Sequence, residues 1–292
     1  MKYRFIKNHE YLFPIEKMCN VLEVGSSGYY KWKNKPVSKR ILRKNEIKQQ
    51  ITTIYFTSKQ RYGSPRITIE LNALGYRISR ITVAKYMREL GLRSKLSKKF
   101  KVTTDSKHNY LVVENVLDRG FAVDRPSKVW VSDITYIQTK EGFLFLTTIL
   151  DLYDRKMIGW SLSNGMNTEE TTLAAWKMAI RNRTVQKGLI FHSDKGVQYA
   201  NKKFANTIES FEVIRSMSRK GNCWDNAVAE SFFKSLKTEL IYGNKLITKQ
   251  QMELEIFEYI EIWYNKKRRH GALNYKTIEE FNNQNNIYKN VA

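Results

Sequence analysis

Asp133, Asp194 and Glu230 are the residues whose types and spacing best suit them to chemistry. Asp133 lies inside the apolar run VWVSDITYI (129–137), and Asp194 ends a second such run, GLIFHSD (188–194). Glu230 falls in the helically patterned stretch WDNAVAESFFKSLKTEL (224–240), with 35 residues (195 to 229) between it and Asp194. A carboxylate in the middle of a hydrophobic strand is costly unless something pairs with it. Three converging carboxylates would hold two divalent cations, and hard oxygen ligands suit Mg²⁺ or Mn²⁺. The chemistry that follows is in-line displacement at a phosphodiester. Singly, each acid has a plainer reading. Asp133 would cap a turn or pair with a buried arginine, Asp194 would be a turn residue before Lys195-Gly196, and Glu230 a solvated helix residue. Their joint arrangement favours the metal site.

The Glu230 segment predicts a helix over 225–241 with Val228, Phe232, Leu236 and Leu240 as its buried stripe. At about 100° per residue Glu230 lies away from that stripe, with Lys234 and Lys237 on its side. One glutamate followed by two lysines gives a face that holds metal and grips phosphate. The plainer alternative is an i, i+4 surface pair worth only tenths of a kcal/mol. Asp151, Asp154, Asp225 and Glu239 are acids near the same elements. Asp151 is assigned to loop hydrogen bonds or a pair with Arg155. His192, two residues before Asp194, shares its strand face and is either near substrate or packed.

The elements that position these residues begin near 126. Strand-like runs at 129–137, 143–150 and 156–162 precede a helical stretch (168–182), a strand (188–193), a helix near 197–208 and a short strand (212–217). The Glu230 helix and another at about 248–264 follow. Consecutive strands and then alternating helices and strands predict an α/β fold with a mixed sheet flanked by helices.

Upstream, the chain reads as helical and basic. Residues 1–110 carry 25 Lys and Arg against 7 Asp and Glu, a net of +18, whereas residues 111–292 carry 26 against 21, a net of +5. That asymmetry suggests a basic region meeting a polyanion. Ile15, Met18, Cys19 and Leu22 follow helical spacing until Gly25-Ser26-Ser27, and Ile47, Ile51 and Ile54 repeat it within about 41–57. Ser64-Pro65 predicts a helix start, with Ile67, Leu71 and Leu74 as its stripe and Gly75 as its end. Ser79 caps a second helix with Val83, Met87 and Leu90 inward. This pair has the form of a helix-turn-helix, with Thr82, Lys85 and Arg88 facing DNA; a small helical bundle is the alternative. The basic stretch 93–107 reads as a linker that tracks phosphates.

No run is long and apolar enough to span a membrane, and the basic start has no signal-like apolar region, so a cytoplasmic protein with Cys19 and Cys223 as reduced thiols is expected. The four histidines are scattered, which excludes a zinc finger.

The blocks WVSDITYI, FHSDKGVQY and NCWDNAVAESFFKSLKTE resemble the three signatures of DDE transposases and retroviral-type integrases. More narrowly, the chain is similar to the second-reading-frame (OrfB-type) products of a bacterial insertion-sequence family. YGSPRITIELNALGYRISRITVAKYMRELGL (62–92), LDLYDRKMIGWSLS (150–163) and WYNKKRRHGALNYKTIEEF (263–281) extend the likeness over nearly the whole chain. Lys195-Gly196-Val197 departs from it slightly, because the family more often has arginine, glycine and a small polar residue there.

The resemblance implies an RNase H-like core at 122–245, after an N-terminal basic helical region (1–58) and a helix-turn-helix with basic linker (59–108), and before a C-terminal helical extension (246–292). It places Asp133, Asp194 and Glu230 as catalytic metal ligands for two Mg²⁺ or Mn²⁺ ions, with Lys237 as the basic residue seven positions after the glutamate. It implies cleavage at terminal inverted repeats and strand transfer to target DNA through a circular intermediate. The expected partners are DNA, further copies of the chain in a homo-oligomer, and an upstream-frame DNA-binding protein or fusion. Lys266, Lys267, Arg268 and Arg269 in KKRRH (266–270) are expected to grip DNA; a basic helix end complementing the dipole is the alternative. The rival readings are a catalytically inactive DNA-binding regulator and a metal-dependent RNase H-like nuclease.

Overall fold

The computed structural model describes residues 1–95, 113–219 and 222–291. Residues 96–112, which include most of the linker expected to track phosphates, and the side chain of Cys223 lie outside the described residues. The chain forms two units, Met1–Arg93 and Ser94–Ala292.

The first unit is helical: α1 (Lys2–His9), α2 (Ile15–Val21), α3 (Ser26–Lys33), α4 (Lys39–Thr57), α5 (Ser64–Ala73) and α6 (Arg80–Glu89). Ile6, Met18, Cys19 and Tyr29 form the core of the first three helices. On α4 the buried row is Ile47, Ile51 and Tyr55, at an even spacing of four, and Tyr55 takes the place expected for Ile54. The α5 helix starts at Ser64 itself, with Gly63 as N-cap and proline in its first turn. Ile67 and Leu71 are buried, but Leu74 is 59% exposed. The helix ends at Ala73 and Gly75 turns the chain through φ +90°, so Leu74 never reaches the inward face. Ser79 caps α6 by accepting from the Thr82 amide at 3.3 Å, and Val83 and Met87 are buried beneath it.

In the second unit, among the described residues, five strands form one sheet in the order β3-β2-β1-β4-β5. They are β1 (Val129–Thr139), β2 (Gly142–Asp151), β3 (Met157–Ser163), β4 (Ile190–Ser193) and β5 (Ile214–Met217). The first three run antiparallel, joined by short turns, and β4 and β5 pair parallel to β1 and β4. This is the mixed sheet expected. The expected 168–182 helix opens with a π-helical turn (Glu169–Leu173) and continues as α7 (Ala174–Asn182). Trp130, Ile149, Ile158, Trp176, Phe191 and Phe204 pack into the core between sheet and helices.

The helix expected near 197–208 is two helices, α8 (Val197–Ala200) and α9 (Lys202–Glu209). Asn201 breaks it: its backbone is extended, and its side chain accepts from the Lys203 amide at 2.9 Å to restart the helix. The Glu230 segment is a 3-10 turn (Cys223–Asn226), α10 (Ala227–Leu236) and a π-helical turn (Lys237–Ile241). Beyond it α11 (Lys249–Phe257) begins with a Thr248–Gln251 capping box and runs on as a π-helical stretch to Lys267. The last helix is α12 (Ile278–Val291).

Candidate active site

Two of the three acids meet through strand register. The last parallel pair of β1 and β4 joins Val131 to His192. Two residues further along each strand stand Asp133 and Asp194, and the two-residue period puts them on one face of neighbouring strands. β4 ends at Ser193, so Asp194 begins the turn that leaves the sheet while β1 continues. Ligand sites of α/β sheets favour such carboxyl ends of strands. The turn folds back on its own acid, because the Gly196 amide donates to Asp194 Oδ1 at 2.9 Å. A Cβ on Gly196 would lie 3.0 Å from that same oxygen, so this close approach favours glycine.

Glu230 arrives from α10, which packs against β1. Ala229, Phe232, Phe233 and Leu236 are its buried residues and Leu240 follows them, whereas Val228, expected to open the stripe, is only half-buried. Glu230 lies half-buried in the first turn, where the helix dipole favours a negative charge.

The electrostatics tie the three together. Burial pushes the Asp133 carboxyl well above its usual range, and the charges of Asp194 and Glu230 push it further. The Ile134 amide, donating to Asp133 Oδ1 at 2.8 Å, and the Lys237 ammonium act against that rise. Glu230 is also raised by burial. Burial lowers Lys237, which the charge of Asp133 partly offsets. Its ammonium stands 5.3 Å from the centre of the Tyr136 ring.

Among the described residues no three His, Cys, Asp or Glu side chains converge closely enough to hold a metal ion. Asp133 and Asp194 each turn one oxygen to a backbone amide. The donor set nevertheless fits a divalent ion. It is all carboxylate oxygen, and a positive charge would relieve both the burial of Asp133 and its repulsion by two like charges.

The remaining acids are structural. Asp151 is fully buried and accepts from the Ser127 amide, Trp130 Nε1 and the Tyr153 amide. These hydrogen bonds are the first of its two expected readings; its ion-pair partner is Arg183 at 2.7 Å rather than Arg155, and Arg183 also clamps Asp154. Asp225 is held by Arg219 and Arg119, which keep it far below the usual carboxylate range. His192 is fully buried, with its ring nitrogens 2.9 and 3.1 Å from Ser216 Oγ and Ser218 Oγ, and burial lowers its pKa to about 4. It is a packed residue of the β4–β5 pair.

The basic residues divide. Lys85, Arg88, Lys234, Lys266 and Lys267 are exposed, whereas Thr82 is half-buried with its hydroxyl 3.0 Å from Ser79 Oγ. Arg268 and Arg269 correct the expectation of four outward cations in KKRRH. Arg268 is buried and donates to Glu239 Oε1 at 2.7 Å; Arg269 is buried and donates to Glu280 and to the Tyr275 carbonyl. Guanidinium groups held this way inside the unit are engaged with the fold rather than presented to phosphate. Sequence reasoning also missed three buried polar residues behind the acids: Ser132, Tyr199 and Asn226. The one legible signal was polar residues at strand and helix-start positions adjoining Asp133 and Glu230.

Residues 123–223 and 230–285 match "Integrase core domain" families, and residues 42–100 match an "HTH-like domain". The chain is 40% identical over 289 residues to "Transposase InsF for insertion sequence IS3A" of Escherichia coli (strain K12), covering 98% of this chain and 99% of that one. It is 39% identical over 256 residues to the "Insertion element IS600 uncharacterized 31 kDa protein" of Shigella sonnei, covering 88% and 94%. Among solved structures, the HTLV-2 integrase catalytic core domain in complex with magnesium aligns at 16% identity and a TM-score of 0.40, covering 53% of this chain and 96% of that one. With a helix-turn-helix-like region, an integrase core and two-fifths identity over nearly its full length, the chain belongs to the IS3 family of transposases, DNA-binding enzymes of insertion-sequence transposition.

Proposed function

We propose that this transposase cleaves DNA at the terminal inverted repeats of its element and joins the freed 3′ end to DNA by two-metal-ion transesterification, with Asp133, Asp194 and Glu230 as ligands of Mg²⁺ or Mn²⁺. The observation that carries this reading is Asp133: a carboxyl on an interior strand, in line with Asp194 and raised by burial and by the charges of both other acids. When bound, the metal pair supplies Lewis-acid activation of the attacking oxygen and stabilisation of the leaving one. The protein's own part is to hold three oxygen ligands beside the interior strand β1, where β4 ends, and to bring the phosphodiester there. Lys237, near Asp133, and the exposed Lys234 are suited to the phosphates at the acids. Lys85 and Arg88 on α6 are suited to the duplex, and Thr82 to a base edge or phosphate beside them. Lys266 and Lys267 would add phosphate contacts. No covalent protein–DNA intermediate is needed. Holding two element ends together calls for a homo-oligomer on DNA.

Labelled inverted-repeat DNA incubated with Mg²⁺ tests the reading. Wild-type protein is expected to cleave or join it, and Asp194→Asn to lower the rate by orders of magnitude. Undiminished activity in that variant removes the triad assignment. Cleavage of RNA with no action on DNA would instead identify a ribonuclease.

A further inference from the structure

The three acids sit on three separate segments, and one continuous set of buried polar contacts links those segments from behind. Ser132 directly precedes Asp133 on β1. Its hydroxyl lies 2.8 Å from the hydroxyl of Tyr199, which is borne by α8, the short helix that starts from the Asp194–Gly196 turn. The carbonyl of Ser132 accepts from Asn226 Nδ2 at 3.0 Å, and Asn226 is the N-cap of α10, one turn before Glu230. Ser132, Tyr199 and Asn226 are at most 4% exposed. The orientation of the Asn226 amide is fixed by chemistry, because the flipped form would set its oxygen against the Ser132 carbonyl.

This link is poorly suited to stabilising the fold for its own sake. Asn226 Oδ1 is buried with no hydrogen-bond partner among the described residues, and such an acceptor costs folding free energy. Asn226 does not cap α10 with its side chain either. Among the described residues its side-chain bond instead crosses to the strand residue beside Asp133. The contacts therefore fix where Asp133, Asp194 and Glu230 stand relative to one another.

We infer that Asn226, Ser132 and Tyr199 are positioning residues that pin the three acid-bearing segments at the separation needed to load the metal ions. The inference rests on the proposed two-metal reading. With the backbones pinned, only the carboxylate side chains must turn from their amide partners, Ile134 and Gly196, toward the cations. Without the pins, α8 and α10 drift relative to β1 and the ligand set loosens. Partners that orient metal ligands typically change metal affinity or activity about 10- to 100-fold when removed.

The test uses the full chain, with Mn²⁺ as probe. Its dissociation constant is measured by electron paramagnetic resonance without DNA, alongside the Mg²⁺ dependence of cleavage and the thermal midpoint in chelator. Tyr199→Phe and Ser132→Ala each remove the same hydrogen bond at the cost of one atom. Asn226→Ala removes the donor to Ser132. Each is expected to weaken Mn²⁺ binding by about tenfold or more and to raise the Mg²⁺ needed for half-maximal rate, with the thermal midpoint little changed. The double variant Tyr199→Phe/Ser132→Ala should be no weaker than either single one. Unchanged Mn²⁺ affinity in the folded variants overturns the inference, as does a loss that merely tracks a falling thermal midpoint. Asp194→Asn separates the two levels. If it abolishes Mn²⁺ binding and cleavage while Asn226→Ala and Tyr199→Phe leave both intact, only the positioning role falls. If Asp194→Asn has no effect, the two-metal reading itself falls.

Discussion

At the scale of single residues, the sheet face that carries Asp133 puts side chains where their charges are disfavoured and the packed residues beside it where neutrality is enforced. Asp133 is raised by burial and by two like charges, so a cation has most to gain there. His192, two residues from Asp194, is the neutral case: buried, flanked by serine hydroxyls and lowered from 6.5 to about 4. The unfolded chain binds a proton at His192 below about pH 6.5, and the folded chain does so only below about pH 4. The stability that His192 contributes is therefore present above pH 6.5 and lost as pH falls from there toward 4, to a maximum of about 3 kcal/mol. Urea denaturation from pH 7.5 to 4 should show this loss in wild type, and His192→Asn, which cannot titrate, should flatten that part of the profile.

At the scale of elements, close packing and buried ion pairs hold the sheet, its helices and the C-terminal segment in place. Gly159 on β3 lies so near α7 that a Cβ there would collide with the Ala175 carbonyl and crowd Ala179. Gly159→Ala should push α7 from the sheet and cost roughly 1–3 kcal/mol in chemical denaturation, as over-packed sites do. The C-terminal segment is bound by polar contacts. Glu239, just after α10, receives Arg268, Tyr259 Oη and Trp263 Nε1, while Asn265 bridges both backbone groups of Met157. Arg268→Ala would leave a buried carboxylate without its cation, and a loss of about 3–5 kcal/mol is expected by the same measurement. A surface phosphate ligand at that position would instead lower DNA affinity and leave stability intact.

At the scale of the whole molecule, charge is divided unevenly along the chain, with a net of +18 over residues 1–110 against +5 over the rest. Strong basicity in the helical region and near balance in the catalytic unit suit DNA capture by the first and chemistry by the second. If Lys85 and Arg88 neutralise phosphates, replacing each with glutamine should weaken binding to inverted-repeat and unrelated duplexes alike and reduce the slope of log affinity against log salt by about one each. A filter-binding titration at several salt concentrations checks this, and an unchanged slope would remove those residues from the DNA face.

Much of this was already written along the chain. The strand runs, the glutamate helix, the Ser79 cap and the three acids are local patterns, set by side-chain periodicity and by residue types that few other conformations tolerate. The choice of partners was not local. That Asp151 answers to Arg183 rather than Arg155, that Arg268 and Arg269 turn inward to Glu239 and Glu280, that His192 is packed, and that Asn226 reaches Ser132 across 94 positions depend on which segments the sheet brings side by side. A charged or amide side chain reads the same in sequence whether it faces water or an opposite charge, and only the folded chain supplies the group it meets.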